Sequence, residues 1–136
     1  LLDLLDTQQI PKAVATSSAR AEARYTLANA GLLERFSIVV TGDQVERGKP
    51  APDIFLLTAA QLGVPPSSCL VLEDSEAGVY AATAAGMCTF MVPDLIPPQP
   101  ETAKRAFQVV ESLADVHAWI LQCGCFAQGI YKPPVA

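Results

Sequence analysis

The sequence predicts an α/β domain, a parallel sheet covered by helices in three layers, incomplete at its N-terminus. Three observations lead there. Short apolar runs alternate with segments of good helix formers, the pattern of a parallel sheet with crossover helices. Of the 136 residues 51% are hydrophobic and mean hydropathy is +0.30; strands buried on both faces read as continuous apolar runs of this kind. Glycine and proline stand where the helices should stop.

The elements follow in order. Leu1, Leu4 and Leu5 fall at helical spacing, so residues 1–9 read as the last turns of a helix ended by Pro11. Residues 12–16 form a short strand. Ser17 and Ser18 offer N-caps to a helix over 19–30, closed by Gly31. Residues 37–41 are a second strand and 42–52 a loop. Asp53 caps or opens a helix that stops at Gly63 and Pro65-Pro66. Residues 69–73 are a third strand, Ser75 caps a helix ending at Gly86, and 88–92 are a fourth strand. Prolines 93, 97, 98 and 100 stiffen the next loop. A helical turn over 101–106, a short strand over 107–110 and a helix from Ser112 to 121 complete one domain, 1–121. Residues 122–136 read as an irregular tail.

Composition narrows the function. Net charge is −5 and the nine basic residues form no stripe, whereas phosphate-backbone binding needs clustered Lys and Arg, so nucleic acid is not an expected partner. No apolar run reaches the roughly 18 residues that span a bilayer, so neither is a membrane. The start LLDLLDTQQI has no basic region and no cleavage site of a signal peptide. The only methionines are Met87 and Met91, so the coding start is expected upstream. Cys69 and Cys88 lie in apolar runs and read as small buried hydrophobes. Cys123 and Cys125 make a C-x-C without a second pair, weak evidence for zinc. This cysteine usage fits a reducing cytoplasm, the expected location.

In such sheets the active site lies at the carboxyl ends of the strands, and three polar signals stand there. Thr16-Ser17 offers a hydroxyl followed by backbone N–H groups, either an anion seat or a simple cap. Lys49 sits between Gly48 and Pro50 in the run Gly48-Lys49-Pro50-Ala51-Pro52-Asp53. Pro50 biases it to extended backbone, so it is either a lysine aimed at a phosphate or an exposed loop lysine. Glu73-Asp74 ends an apolar strand with two carboxylates. They either share a hard cation such as Mg²⁺, which relieves their repulsion, or Asp74 is a cap. Gly78, Ala81, Ala82, Ala84 and Ala85 read as the face of a helix lying close on the sheet.

The order hydroxyl, lysine, acid pair, each at a strand end, is more specific than any member. It resembles the haloacid dehalogenase superfamily, nearest the subfamily of β-phosphoglucomutase and sugar-phosphate phosphatases. VATSS, GKPAPDIF and LVLEDSEAGVYAATAAGM stand as its second, third and fourth motifs, between residues 12 and 93. The resemblance implies a Rossmann-like core and a Mg²⁺-dependent phosphomonoester hydrolase acting on a small phosphorylated metabolite such as a sugar phosphate. It gives Thr16 and the Ser17 N–H to the phosphoryl oxygens, Lys49 to the charge of phosphate and nucleophile, and Asp74, assisted by Glu73, to Mg²⁺. In the family an aspartate ending the first strand forms an aspartyl-phosphate that water cleaves, and a second aspartate two residues on moves the proton.

One departure is large. No D-x-D follows an apolar strand before Thr16. Asp3 and Asp6 are spaced D-x-x-D, and only five residues separate Asp6 from Lys12, where a parallel crossover needs about a dozen. These two acids are therefore expected on a helix surface. The family's cap and its first strand, which lies centrally between those ending at Thr16 and Glu73, are also not found. A central strand buries apolar side chains worth about 1.5–3 kcal/mol each, against a net domain stability of about 5–15 kcal/mol. The chain is thus expected to be unstable alone, to be rearranged, or to depend on a missing N-terminal partner segment. The alternatives are β-phosphoglucomutase-type phosphoryl transfer and an inactive fragment or phosphate- or Mg²⁺-binding interaction module. A receiver domain would place its acids first; no cysteine has the C-x₅-R of a cysteine phosphatase; and His117 is the single histidine.

Overall fold

A computed structural model describes residues 1–124. In chain order the elements are α1 Leu2–Thr7, β1 Ala13–Thr16, α2 Arg20–Asn29, β2 Ile38–Thr41, α3 Asp53–Leu62, β3 Leu70–Glu73, α4 Glu76–Ala84, β4 Cys88–Met91, α5 Pro100–Arg105, β5 Gln108–Val109 and α6 Leu113–Cys123. Every expected element forms. The stop signals act as read: Gly31, Gly63 and Gly86 adopt positive φ at the ends of α2, α3 and α4. Helix α6 runs past residue 121 to Cys123, so the start of the expected tail is helical. The rest of the tail, with Cys125 of the C-x-C, lies outside the described residues.

All pairing is parallel, as the crossovers require. β1 pairs with β2, from Ala13 opposite Ile38 to Thr16 opposite Thr41. β3, β4 and β5 form a second sheet in that order. Successive side chains on a strand point to opposite faces, and this sorts the core into layers. Val71 joins Val40, Ile54, Phe55, Ala59, Ala81 and Ala82 beneath α3 and α4. Its neighbours Leu70 and Leu72 pack oppositely, with Phe90, Val116, Ile120, Leu1, and Leu4 and Leu5 of α1. There the Phe90 ring lies 4.9 Å from Trp119 and 5.3 Å from Phe107, centroid to centroid. Ala81 and Ala82 are fully buried, so α4 does lie close on the sheet; Ala84 turns outward and is exposed, against the expectation for it.

The two sheets leave a gap. Among the described residues β1 has no neighbour on its edge away from β2, and β3 none on its edge away from β4. A cavity of about 530 Å³ lies between them, lined by Ala13 to Ala15 and Leu70 to Glu73, with Phe55 and Ala59 from α3 and Leu5 from α1. The family resemblance puts its central strand there. One expectation is corrected: Cys69, which lines this cavity, is partly exposed, and so is Cys88, so neither is the buried residue expected. What burial Cys69 has pushes its thiol up.

Asp3 and Asp6 are surface acids, as expected. Arg35 donates to Asp3 at 2.7 Å and to Asp6 at 2.6 Å, and Lys12 pairs with Asp6. Hydrogen bonds from Lys12 and then Arg35 hold the Asp6 carboxyl below its ordinary range. A depressed carboxyl adds stability above its unfolded pKa and loses it as pH falls through the folded one. Attachment of α1 should therefore be complete at neutral pH and fade below about pH 4. The methyl signals of Leu5 and Ile10 should report it by shifting in that window; an acid titration that leaves them in place until global unfolding would count against the tie. No helix among the described residues is long and apolar enough to cross a membrane.

Candidate active site

The site begins where β1 ends. Thr16 follows the last apolar strand residue, and its Oγ1 accepts the Ser18 N–H at 3.2 Å. A hydroxyl has one proton to donate, and that bond leaves it for another acceptor. Gly42, after β2, donates its N–H to the Ser18 carbonyl at 3.0 Å. The backbones meet so closely that a Cβ on Gly42 would overlap the Ser17 carbonyl. Pinned in this turn, Ser17 and Ser18 do not cap α2. Its N-cap is Ala19, with no side-chain cap bond, which corrects the capping expectation.

Lys49 is placed by its loop. Arg47 grips Asp53 through two hydrogen bonds of 3.0 and 2.8 Å, and the Ala51 N–H closes a turn onto the Gly48 carbonyl at 3.0 Å. The Lys49–Pro50 peptide is cis. Lys49 is no free loop lysine: only 10% of its side chain is exposed. Its Nζ pairs with Glu73 Oε1, donates to the Ala15 carbonyl at 3.3 Å and lies 4.9 Å from the Phe55 ring centroid, within cation–π range. Lys49 thereby bridges the carboxyl ends of β1 and β3 across one end of the cavity.

At the end of β3 the two acids divide. Glu73 is buried at 7% exposure, and besides the Lys49 ammonium its carboxylate accepts a hydrogen bond from the Ser75 hydroxyl at 3.0 Å. Asp74 is exposed. Ser75, not Asp74, caps α4, accepting the Gly78 N–H at 3.1 Å. With Glu73, Leu72 and Val92, Asp74 lines a second, open hollow. No group of three potential metal ligands occurs among the described residues. The structure thus brings Thr16, Ser17, Lys49, Glu73 and Asp74 to the carboxyl ends of β1 and β3, which Lys49 joins. Sequence reasoning missed the Ala15 carbonyl, Phe55, Gly42 and the Ser75 hydroxyl as a partner of Glu73. Ser75 stood beside the motif, and its double role was the findable one.

The carboxyl ends of the strands of this parallel α/β fold thus carry a hydroxyl, a buried paired lysine and an exposed acid. The family model described as haloacid dehalogenase-like hydrolase matches residues 1–86, and the chain belongs to that family. It is 36% identical over 132 residues to the phosphorylated carbohydrates phosphatase of Thermotoga maritima, covering 97% of this chain and 52% of the relative. It is 41% identical over 117 residues to the bifunctional riboflavin kinase/FMN phosphatase of Arabidopsis thaliana, covering 85% of this chain and 31% of that protein. The fold matches a solved hydrolase of the family from Deinococcus radiodurans, with bound phosphate and sodium, at a TM-score of 0.81 and 32% identity, over 90% of this chain and 57% of that one. The chain spans about a third and about half the length of these two curated relatives.

Proposed function

We propose that this chain supplies the phosphate- and metal-binding part of a Mg²⁺-dependent phosphomonoester hydrolase acting on a small phosphorylated metabolite such as a sugar phosphate. The observation that carries the reading is Lys49: a buried ammonium, joined to both β1 and β3, beside a threonine with a proton to give. Phosphoryl transfer asks mainly for positioning and for stabilisation of charge on the phosphoryl oxygens. Thr16 donates to one of those oxygens with the Ser17 N–H beside it, and Lys49 offsets their charge and that of the nucleophile.

The metal assignment follows from the donors at hand. A hard cation takes carboxylate oxygens, and Asp74 has no hydrogen bond or ion pair among the described residues. Asp74 is the ligand; Glu73 adds its charge nearby while its oxygens stay with Lys49 and Ser75. Mg²⁺, when bound, supplies positive charge to the phosphoryl oxygens. The attacking carboxylate belongs on a strand in the cavity between β1 and β3. Such a strand would be apolar on both faces, because the cavity walls are, and would end beside Lys49. This extends the family resemblance, as does the aspartyl-phosphate it implies.

The reading frame upstream of this chain gives the first test: it should encode an apolar strand ending in D-x-D. The protein carrying that strand should hydrolyse generic phosphate esters with Mg²⁺ and stop when the metal is chelated, whereas residues 1–136 alone should not. A stop codon closing the frame before such a strand, or a strand-bearing protein inert on a panel of sugar phosphates, would remove the enzyme reading.

A further inference from the structure

We propose that Glu73 and Gly78 are positioning residues that set where Lys49 presents its charge; the inference rests on the phosphate role given to Lys49 above. An ammonium has three N–H donors. The Glu73 carboxylate takes one and the Ala15 carbonyl a second, while the Phe55 ring covers a further side. One donor is left for a ligand, and its direction follows from the other two. Glu73 is fixed in turn by the Ser75 hydroxyl and by its seat against α4. That seat exists because residue 78 is glycine: a Cβ there would overlap the Glu73 carboxylate.

Gly78 reads in the sequence as a packing glycine, and its geometry says more. It is not among the residues of positive φ, so alanine suits its backbone and would favour the helix by about 1 kcal/mol. The obstacle to a side chain is the Glu73 carboxylate. An alanine must push that carboxylate aside, and Lys49 loses its anchor although residue 78 never touches Lys49. The sequence of contacts Gly78, Glu73, Lys49, Ala15 thus runs from α4 across both sheets.

The test uses the protein that carries this chain, at the full length its reading frame gives. Lysines are labelled with an amine-acylating reagent and read residue by residue by peptide mass, with exposed Lys104 as internal reference. Both Gly78→Ala and Glu73→Gln should raise Lys49 labelling relative to Lys104 about tenfold, the ratio that loss of one charged hydrogen bond gives. Labelling of Lys12 should not change. Inorganic phosphate should protect Lys49 in the parent protein and less so in both variants. A folded Gly78→Ala protein whose Lys49 labels at the parent rate overturns the proposal. Should that variant fail to fold, Glu73→Gln, which keeps the side chain's shape, decides in the same way. Phosphate that leaves parent Lys49 unprotected would remove the phosphate reading, while the labelling ratio without phosphate still judges the positioning role.

Discussion

Replacing Asp74 with Asn in the strand-bearing protein should lower Mg²⁺-dependent hydrolysis of a generic phosphate monoester about a hundredfold or more, on the scale of losing a main charge-stabilising group. The reason is local. Asp74 lies just beyond the end of β3, at the edge of an open hollow, with no ion-pair or hydrogen-bond partner among the described residues. Asn keeps its size and one oxygen but removes the charge that holds a hard cation. Folding should be unaffected, because an exposed, unpartnered side chain contributes little to it. Turnover should recover in part as Mg²⁺ is raised, since the amide oxygen remains a weak donor. Turnover equal to the parent at low Mg²⁺ would contradict the metal assignment.

Lys49→Ala should act on stability and on phosphate together. The lysine and glutamate side chains are 10% and 7% exposed. Removing one partner strands a buried carboxylate, which costs about 3–5 kcal/mol, and the midpoint of thermal unfolding should fall by about 10 °C or more. Replacing both members by neutral groups of similar size often restores stability. Lys49→Met combined with Glu73→Gln should therefore recover most of the lost stability while phosphate affinity stays low. Such a split separates the two roles of Lys49. A single Lys49→Ala protein as stable as the parent would mean that the pair is not buried as described.

Much of this was legible in the sequence, and the reasons for the rest are physical. The strands showed because a two-sided parallel sheet demands continuous apolar runs such as Leu70-Val71-Leu72, and the helix ends because glycine adopts the positive φ found at Gly31 and Gly63 without steric cost. The site residues showed because Thr16, Lys49 and Glu73-Asp74 stand where such runs stop. Their partners did not. Glu73 meets a lysine 24 positions away, and local patterning carries no information about which loop folds over which strand. Gly78 looked like any small residue on a close-packed helix; that its missing side chain makes room for a carboxylate depends on where β3 ends relative to α4. Ser17 and Ser18 failed as caps because a tertiary contact, Gly42 to Ser18, took the turn for the sheet. The gap between β1 and β3 was legible indirectly, through the central strand the family resemblance places there.

Titration of the strand-bearing protein with inorganic phosphate in the presence of Mg²⁺, followed by amide and lysine side-chain NMR, tests the central claim most directly. Signals of Thr16, Ser17, the Lys49 ammonium and Asp74 should move together and saturate at one affinity, and the Lys49→Ala protein should lose the whole set. Shifts scattered over the surface lysines, or a saturating response that omits Thr16 and Lys49, would contradict the account.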